Sequence, residues 1–251
     1  MTDDPELSGL TALVTGGTRR IGLAIAQECA RAGANVVINY AGDRAQAARG
    51  VQAIEALGGR ALAVQADVRE SRQVESMVAK ALEHFGGVDI LVNNAAIRPH
   101  STLQELSLAA WHDVVHLILD GSFLCAKACE PYLTRTGRGS IVNIGGLVAQ
   151  LGNGEAPHVS AAKSGLVGLT RALAQHFGPL GVTVNCLTPG SIVAEEDDAE
   201  RRGRAFSLEQ IPMRRVGTPQ DVAAAVRALV GPQFRFLTGQ NLHLNGGAFM
   251  S

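Results

Sequence analysis

The sequence predicts an α/β protein built on a doubly wound parallel sheet of about seven strands with helices on both faces. Three observations predict it. Short β-branched runs alternate with helical stretches along the whole chain. Most of these runs are apolar at successive positions, as strands covered on both faces are. No Pro/Gly/Ser-rich linker, low-complexity tract or repeat breaks the rhythm, so residues 1–251 read as one domain.

Each element follows in order. The first strand is TALVTG. A helix is expected over 20–33, because Ile21, Ala24, Ile25, Cys29 and Ala32 keep the 3.6-residue period and Gly33 closes the segment as a C-terminal glycine does. The strand NVVINY then precedes a helix over 43–57, RALAVQA one over 70–85, VDILVNN one over 107–134, and SIVNIGG one over 157–177. VTVNCLT, a helix starting near Thr218 and NLHLNGG complete the series. Only 191–211 interrupts it, with the acidic run Glu195–Asp198 ahead of an Arg-rich stretch. That segment reads either as a solvated charged surface or as a substrate lid, since it follows a strand's carboxyl end, where such sheets bind ligands.

Composition narrows the function classes. With 22 Lys+Arg against 23 Asp+Glu, the chain lacks the basic footprint that nucleic acid requires, and no nucleic-acid partner is expected. No apolar run approaches the roughly 20 residues that cross a bilayer, and the start is acidic where a secretory signal is basic and then apolar. A cytoplasmic protein with no membrane partner is expected. Cys29, Cys125, Cys129 and Cys186 lack paired metal spacing and read as reduced core thiols. His112 and His116 have i,i+4 spacing but no intervening Glu or third ligand, so they read as helix surface, and no metal site is expected.

The first strand runs directly into Thr15-Gly16-Gly17-Thr18-Arg19-Arg20-Ile21-Gly22 and then a helix. Glycines let a backbone approach a pyrophosphate, whose charge is favoured at a helix N-terminus. The bland alternative is a tight packing turn, which the strand before and the amphipathic helix after disfavour. At the end of the second strand an NAD site wants a carboxylate for the ribose hydroxyls, whereas an NADP site avoids one and supplies cations. Tyr40 stands there, with Arg19, Arg20 and Arg44 near enough in sequence to reach a 2′-phosphate. The expectation is NADP(H) over NAD(H), although each arginine alone could be an exposed helix-end charge.

With its other landmarks the chain resembles the classical short-chain dehydrogenase/reductases over essentially its whole length, which implies a Rossmann-like domain. The family's T-G-x-x-x-G-x-G is similar to TGGTRRIG, with Arg20 where the middle glycine stands. Asp67-Val68 resembles the adenine-contacting pair, and Asn93-Asn94-Ala95-Ala96 resembles N-N-A-G. Pro189-Gly190 with Ile192 resembles the segment beside the nicotinamide, although Ala194 replaces its threonine. Leu237-Thr238-Gly239-Gln240 with Gly246-Gly247 resembles the closing segment.

The resemblance implies an Asn-Ser-Tyr-Lys catalytic tetrad, and here the chain departs from it. Lys163 is present, but Val159 stands at the tyrosine position, Gly146 at the serine position and Ile118 at the asparagine position. The chain's other tyrosines, Tyr40 and Tyr132, are far from Lys163 in sequence. A positioned acid or base contributes roughly 10²–10⁴ in rate, so an apolar Val159 argues against ordinary carbonyl reduction. Lys163 still suits the nicotinamide ribose. Replacement groups, if chemistry survives, would come from Arg98 and His100 after the fourth strand, or from Glu155 and His158 before the helix at 157–177, and Arg98, His158 and Glu155 are the candidate catalytic residues beside Lys163.

Three functions remain open: an oxidoreductase with a non-standard site, a catalytically silent NADP-binding pseudoenzyme or regulatory subunit, and a non-redox lyase or isomerase. The resemblance also implies a homodimer or homotetramer, formed through the helices at 107–134 and 157–177 with the closing segment near Phe249.

Overall fold

The computed structural model describes residues 6–195, 197 and 207–250. Strand β1 (Thr11–Val14) lies inside a seven-stranded, all-parallel sheet. On one side lie β2 (Asn35–Tyr40) and β3 (Arg60–Gln65). On the other lie β4 (Ile90–Asn93), β5 (Ser140–Ile144), β6 (Thr183–Pro189) and β7 (Asn241–Leu244), giving the order β3-β2-β1-β4-β5-β6-β7. The chain therefore reverses its direction of winding between β1 and β4. That switch point opens a crevice at the carboxyl edge, where the glycine loop and Asn93–Ala95 lie side by side.

Helices α1 (Arg20–Arg31), α2 (Arg44–Glu55) and α3 (Ser71–Phe85) make the first crossovers. Next come α4 (Leu108–Val115), α5 (Gly121–Leu133), the single turn α6 (Val148–Leu151), α7 (Pro157–Phe177) and, after β6, α8 (Pro219–Val230). Every position of β1, β4, β5 and β6 is buried, which is why those runs carry no polar alternation. One face of the sheet is covered by α1 and α8 through Ile25, Val222 and Val226. The other is covered by α3, α5 and α7, with Met77, Cys125, Cys129 and Phe177 at its centre. All four cysteines are buried and unbridged, and burial pushes the thiols of Cys29 and Cys125 up to about 12.

Two local features depart from the expected pattern. The helix expected over 107–134 is broken into α4 and α5 by a π-helical turn, His116–Asp120, which holds Ile118. At its end Gly121 passes close to the turn that follows β3: a Cβ there would lie 2.8 Å from Val68 Cγ2. α6 has no counterpart in the apolar periodicity, because none of its residues is buried. Of the expected lid over 191–211, residues 196 and 198–206 lie outside the described residues; ahead of them, Ala194 is buried.

Candidate active site

The glycine loop is held from both sides by asparagines. Asn94 Nδ2 donates to Thr15 O at 2.8 Å and Gly16 O at 3.1 Å. The Thr15 hydroxyl in turn accepts the backbone N–H groups of Asn94 (2.9 Å) and Ala95 (3.0 Å). From the other side Asn39 Oδ1 accepts the Gly16 N–H at 3.2 Å, while its Nδ2 donates to Ala66 O at 2.9 Å. Asn39 is a site residue that the sequence does not single out. It lies on β2 as an ordinary strand polar residue, and only pairing with the neighbouring loop reveals its use.

The loop is built for close approach. Gly16 adopts φ +59, and a Cβ on Gly22 would stand 2.3 Å from Gly16 O and 2.7 Å from Asn94 Nδ2. Such a cradle, at the N-terminus of α1, fits a pyrophosphate. Thr18 is buried in it and Ile21 reaches the crevice. Arg20 also takes a positive φ, 50°, where glycine costs nothing and an arginine about 1–2 kcal/mol. Its guanidinium pairs with the buried carboxylate of Asp197, linking the loop to the segment after β6.

At the rim, Arg19 and Arg44 are exposed and Tyr40 is half-buried at the end of β2. The nearby carboxylate of Asp43 is engaged as the N-cap of α2, accepting from Gln46 N at 2.8 Å. Asp67 is gripped by Arg69, with Nη2 to Oδ2 at 2.6 Å, and this guanidinium holds its carboxyl below the usual range. Val68 is buried against Gly121. The Asn93 side chain faces the core: its Nδ2 donates to Asn143 Oδ1 at 2.8 Å, and Asn143 continues to Thr170 at 2.9 Å. Among the cofactor candidates Asn93 therefore offers its main chain only, whereas Ala95 follows at the loop itself.

Below the loop lies a cavity of about 530 Å³ that brings together Lys163, Val159, Gly146, Arg98, His100 and Arg20, with Pro189, Gly190 and Ile192 closing one side. A larger groove, about 910 Å³, runs between α7 and β7 and holds none of the candidate residues. Val159 is buried in an apolar cluster with Val114, Ile118, Ala162 and Leu166, so packing accounts for the apolar residues at both 118 and 159. The third position is different. A Cβ on Gly146 would meet nothing nearer than 3.8 Å, while one on the adjacent Gly145 would lie 2.6 Å from Thr188 Oγ1.

The replacement acids and bases divide. Arg98 and His100 line the cavity. His158 and Glu155 do not: His158 is fully buried, neither ring nitrogen has a hydrogen-bond partner among the described residues, and burial pushes its pKa down. One residue along a helix turns its side chain about 100° from Val159, which is enough to remove it from the cavity wall. Glu155 is exposed and faces His100 at 3.5 Å.

Lys163 is 2% exposed, and its Nζ donates to Ile144 O at 2.5 Å. Burial, reinforced by the nearby charge of Arg98, lowers its pKa from 10.5 to about 7. The folded value lies below the unfolded one, so between these two pH values the unfolded chain binds more protons and this group's contribution to stability rises with pH. Below pH 7 both states carry the proton and the full burial penalty remains. Urea unfolding midpoints measured from pH 7 to pH 9 are expected to climb in the parent relative to Lys163→Met, whose profile lacks this slope.

Known proteins share this arrangement of sheet and loop. Residues 16–248 match the family model described as enoyl-(acyl carrier protein) reductase. A 3-oxoacyl-[acyl-carrier-protein] reductase FabG of Staphylococcus epidermidis is 38% identical over 242 residues, covering 96% of this chain and 99% of the relative. A dehydrogenase/reductase from Sinorhizobium meliloti superposes with a TM-score of 0.91 at 36% identity, over 98% of each chain. A blue fluorescent protein from a metagenomic library, solved in complex with NADPH, superposes with a TM-score of 0.90 at 34% identity, over 98% of this chain and 100% of its own.

Proposed function

Since the chain belongs to the short-chain dehydrogenase/reductase family, we propose that it is a cytoplasmic oxidoreductase that binds NADP(H) in preference to NAD(H) and acts on a small molecule through a non-standard active site. The observation that carries the cofactor reading is the end of β2: Tyr40 stands where a ribose carboxylate would be, Asp43 is committed to capping α2, and Arg19 and Arg44 are exposed at the rim. The pyrophosphate would lie on the loop from Gly16 through Thr18 to Gly22, the adenine by Asp67 and Val68, and the nicotinamide by Ala95, Pro189, Gly190 and Ile192. When bound, the nicotinamide supplies or accepts a hydride. Lys163 would hold its ribose hydroxyls, while Arg98 and His100 face the remaining space.

Fluorescence titration of the purified protein tests this. NADPH is expected to bind more tightly than NADH, and Arg19→Ala or Arg44→Ala to narrow the gap by about 1.5–3 kcal/mol, the worth of a charge-assisted hydrogen bond. Tighter NADH binding would overturn the phosphate assignment.

The apolar Val159 and the bare Gly146 favour a second reading, a cofactor-binding subunit without turnover. Names of the relatives, which are reductases and dehydrogenases, support turnover instead. A panel of carbonyl, alcohol and conjugated enoyl substrates followed by NADPH absorbance separates the two. The assembly is proposed to be a homodimer or homotetramer, and light scattering at micromolar concentration is expected to show no monomer as the main species.

A further inference from the structure

Lys163 differs from an ordinary lysine in its surroundings more than in its position. Lys163 is one of the residues that line the 530 Å³ cavity, yet its single hydrogen bond goes to a neutral acceptor, Ile144 O. Among the described residues no carboxylate pairs with it. The wall around it carries Arg98, a second cation, and the thiol of Cys186 stays neutral because burial pushes its pKa up. Val159, one helical turn earlier, offers no hydroxyl, and the space beside the lysine's stem at Gly146 is open, since a Cβ on that glycine would lie 3.8 Å from Lys163 Cγ. A desolvated lysine beside another cation is the arrangement that turns an amine into a nucleophile.

From this geometry we propose that Lys163 is a reactive amine that condenses with small aldehydes and activated ketones entering the cavity. The deprotonated Nζ attacks the carbonyl carbon, a C–N bond forms, both amine protons pass to the carbonyl oxygen, the C–O bond breaks, and the oxygen leaves as water, giving a neutral imine. Nothing is oxidised or reduced. The imine nitrogen then takes up one proton from solvent, and the N–H so formed can donate to Ile144 O in place of the ammonium's bond. A pKa of about 7 leaves near half of the amine deprotonated at neutrality, against about one part in three thousand for an ordinary lysine. The assignment goes beyond the cofactor reading and does not depend on it.

The chain provides its own standards, because Lys80 and Lys127 are exposed and are the only lysines besides Lys163. The full-length protein without nucleotide is treated with propionaldehyde and sodium cyanoborohydride, digested, and each lysine's alkylation followed by mass spectrometry. At pH 7 Lys163 is expected to be alkylated more than tenfold faster than Lys80 or Lys127, and its rate to level off above pH 8 while theirs continue to rise. Labelling of Lys163 no faster than the two exposed lysines would overturn the proposal. NADPH titration of the same sample reports on the cofactor separately: a protein that binds NADPH but leaves Lys163 unlabelled loses this inference alone.

Discussion

Gly146→Ser combined with Val159→Tyr is expected to raise NADPH-dependent reduction of a small activated ketone by at least a hundredfold over the parent. Both positions line the cavity that holds Lys163, and position 159 lies one helical turn before the lysine on α7. At position 146 the added side chain has room, since its Cβ meets only Lys163 Cγ and Val148 Cγ2, both at 3.8 Å. At position 159 the phenol replaces an aliphatic group that is 2% exposed, so the ring must enter the cavity rather than the packed cluster around Ile118. A positioned acid contributes roughly 10²–10⁴ in rate, and the serine hydroxyl adds a hydrogen bond to the same substrate oxygen. The assay is NADPH absorbance on a sample shown to be folded and to bind NADPH. No gain in such a sample would show that a hydroxyl at 146 and a phenol at 159 do not suffice for reduction beside Lys163.

Gly22→Ala is expected to lower stability by about 3 kcal/mol and to abolish nucleotide binding. The added methyl would sit 2.3 Å from a backbone carbonyl, Gly16 O, and 2.7 Å from the Asn94 amide that holds the loop. The first is backbone, and the second is a side-chain end pinned by its hydrogen bonds to Thr15 O and Gly16 O, so relief requires the loop itself to move. Gly168→Ala is the matched control: its Cβ meets nothing within 4 Å in the middle of α7, and the same chemical change there is expected to stabilise by roughly 0.5–1 kcal/mol through helix propensity. Urea denaturation of both variants and NADPH fluorescence on Gly22→Ala measure the contrast. Unchanged NADPH affinity in Gly22→Ala would remove the loop from the cofactor site.

The sheet is legible in the sequence because its central strands are buried on both faces and so carry successive apolar residues, as in Ile90-Leu91-Val92 and Ile141-Val142. The glycine loop is legible for a similar reason, since backbone geometry demands small residues at fixed places. What escapes depends on partners distant in sequence. Asn39 and Asn94 are recognisable as loop anchors only once β2 and β4 lie beside Thr15 and Gly16. Motif spacing puts Asn93 at the cofactor edge, but strand alternation turns its side chain inward to Asn143. Adjacency to Val159 puts His158 near the chemistry, and helical rotation buries it elsewhere. The π turn at His116–Asp120 leaves no mark in apolar spacing, because it changes the winding of a helix that remains helical on either side.

The contrast between Gly145 and Gly146 also sets the order in which substitutions can accumulate. A side chain at 145 runs into Thr188 and Cys186, so that glycine is fixed by its neighbours, while 146 faces open space and tolerates exchange without a compensating change. A hydroxyl at 146 has no phenol to cooperate with while Val159 remains, so drift can fix it unseen by selection. The two exchanges share one cavity and one neighbour, Lys163, so their effects on function and on folding are expected to be coupled.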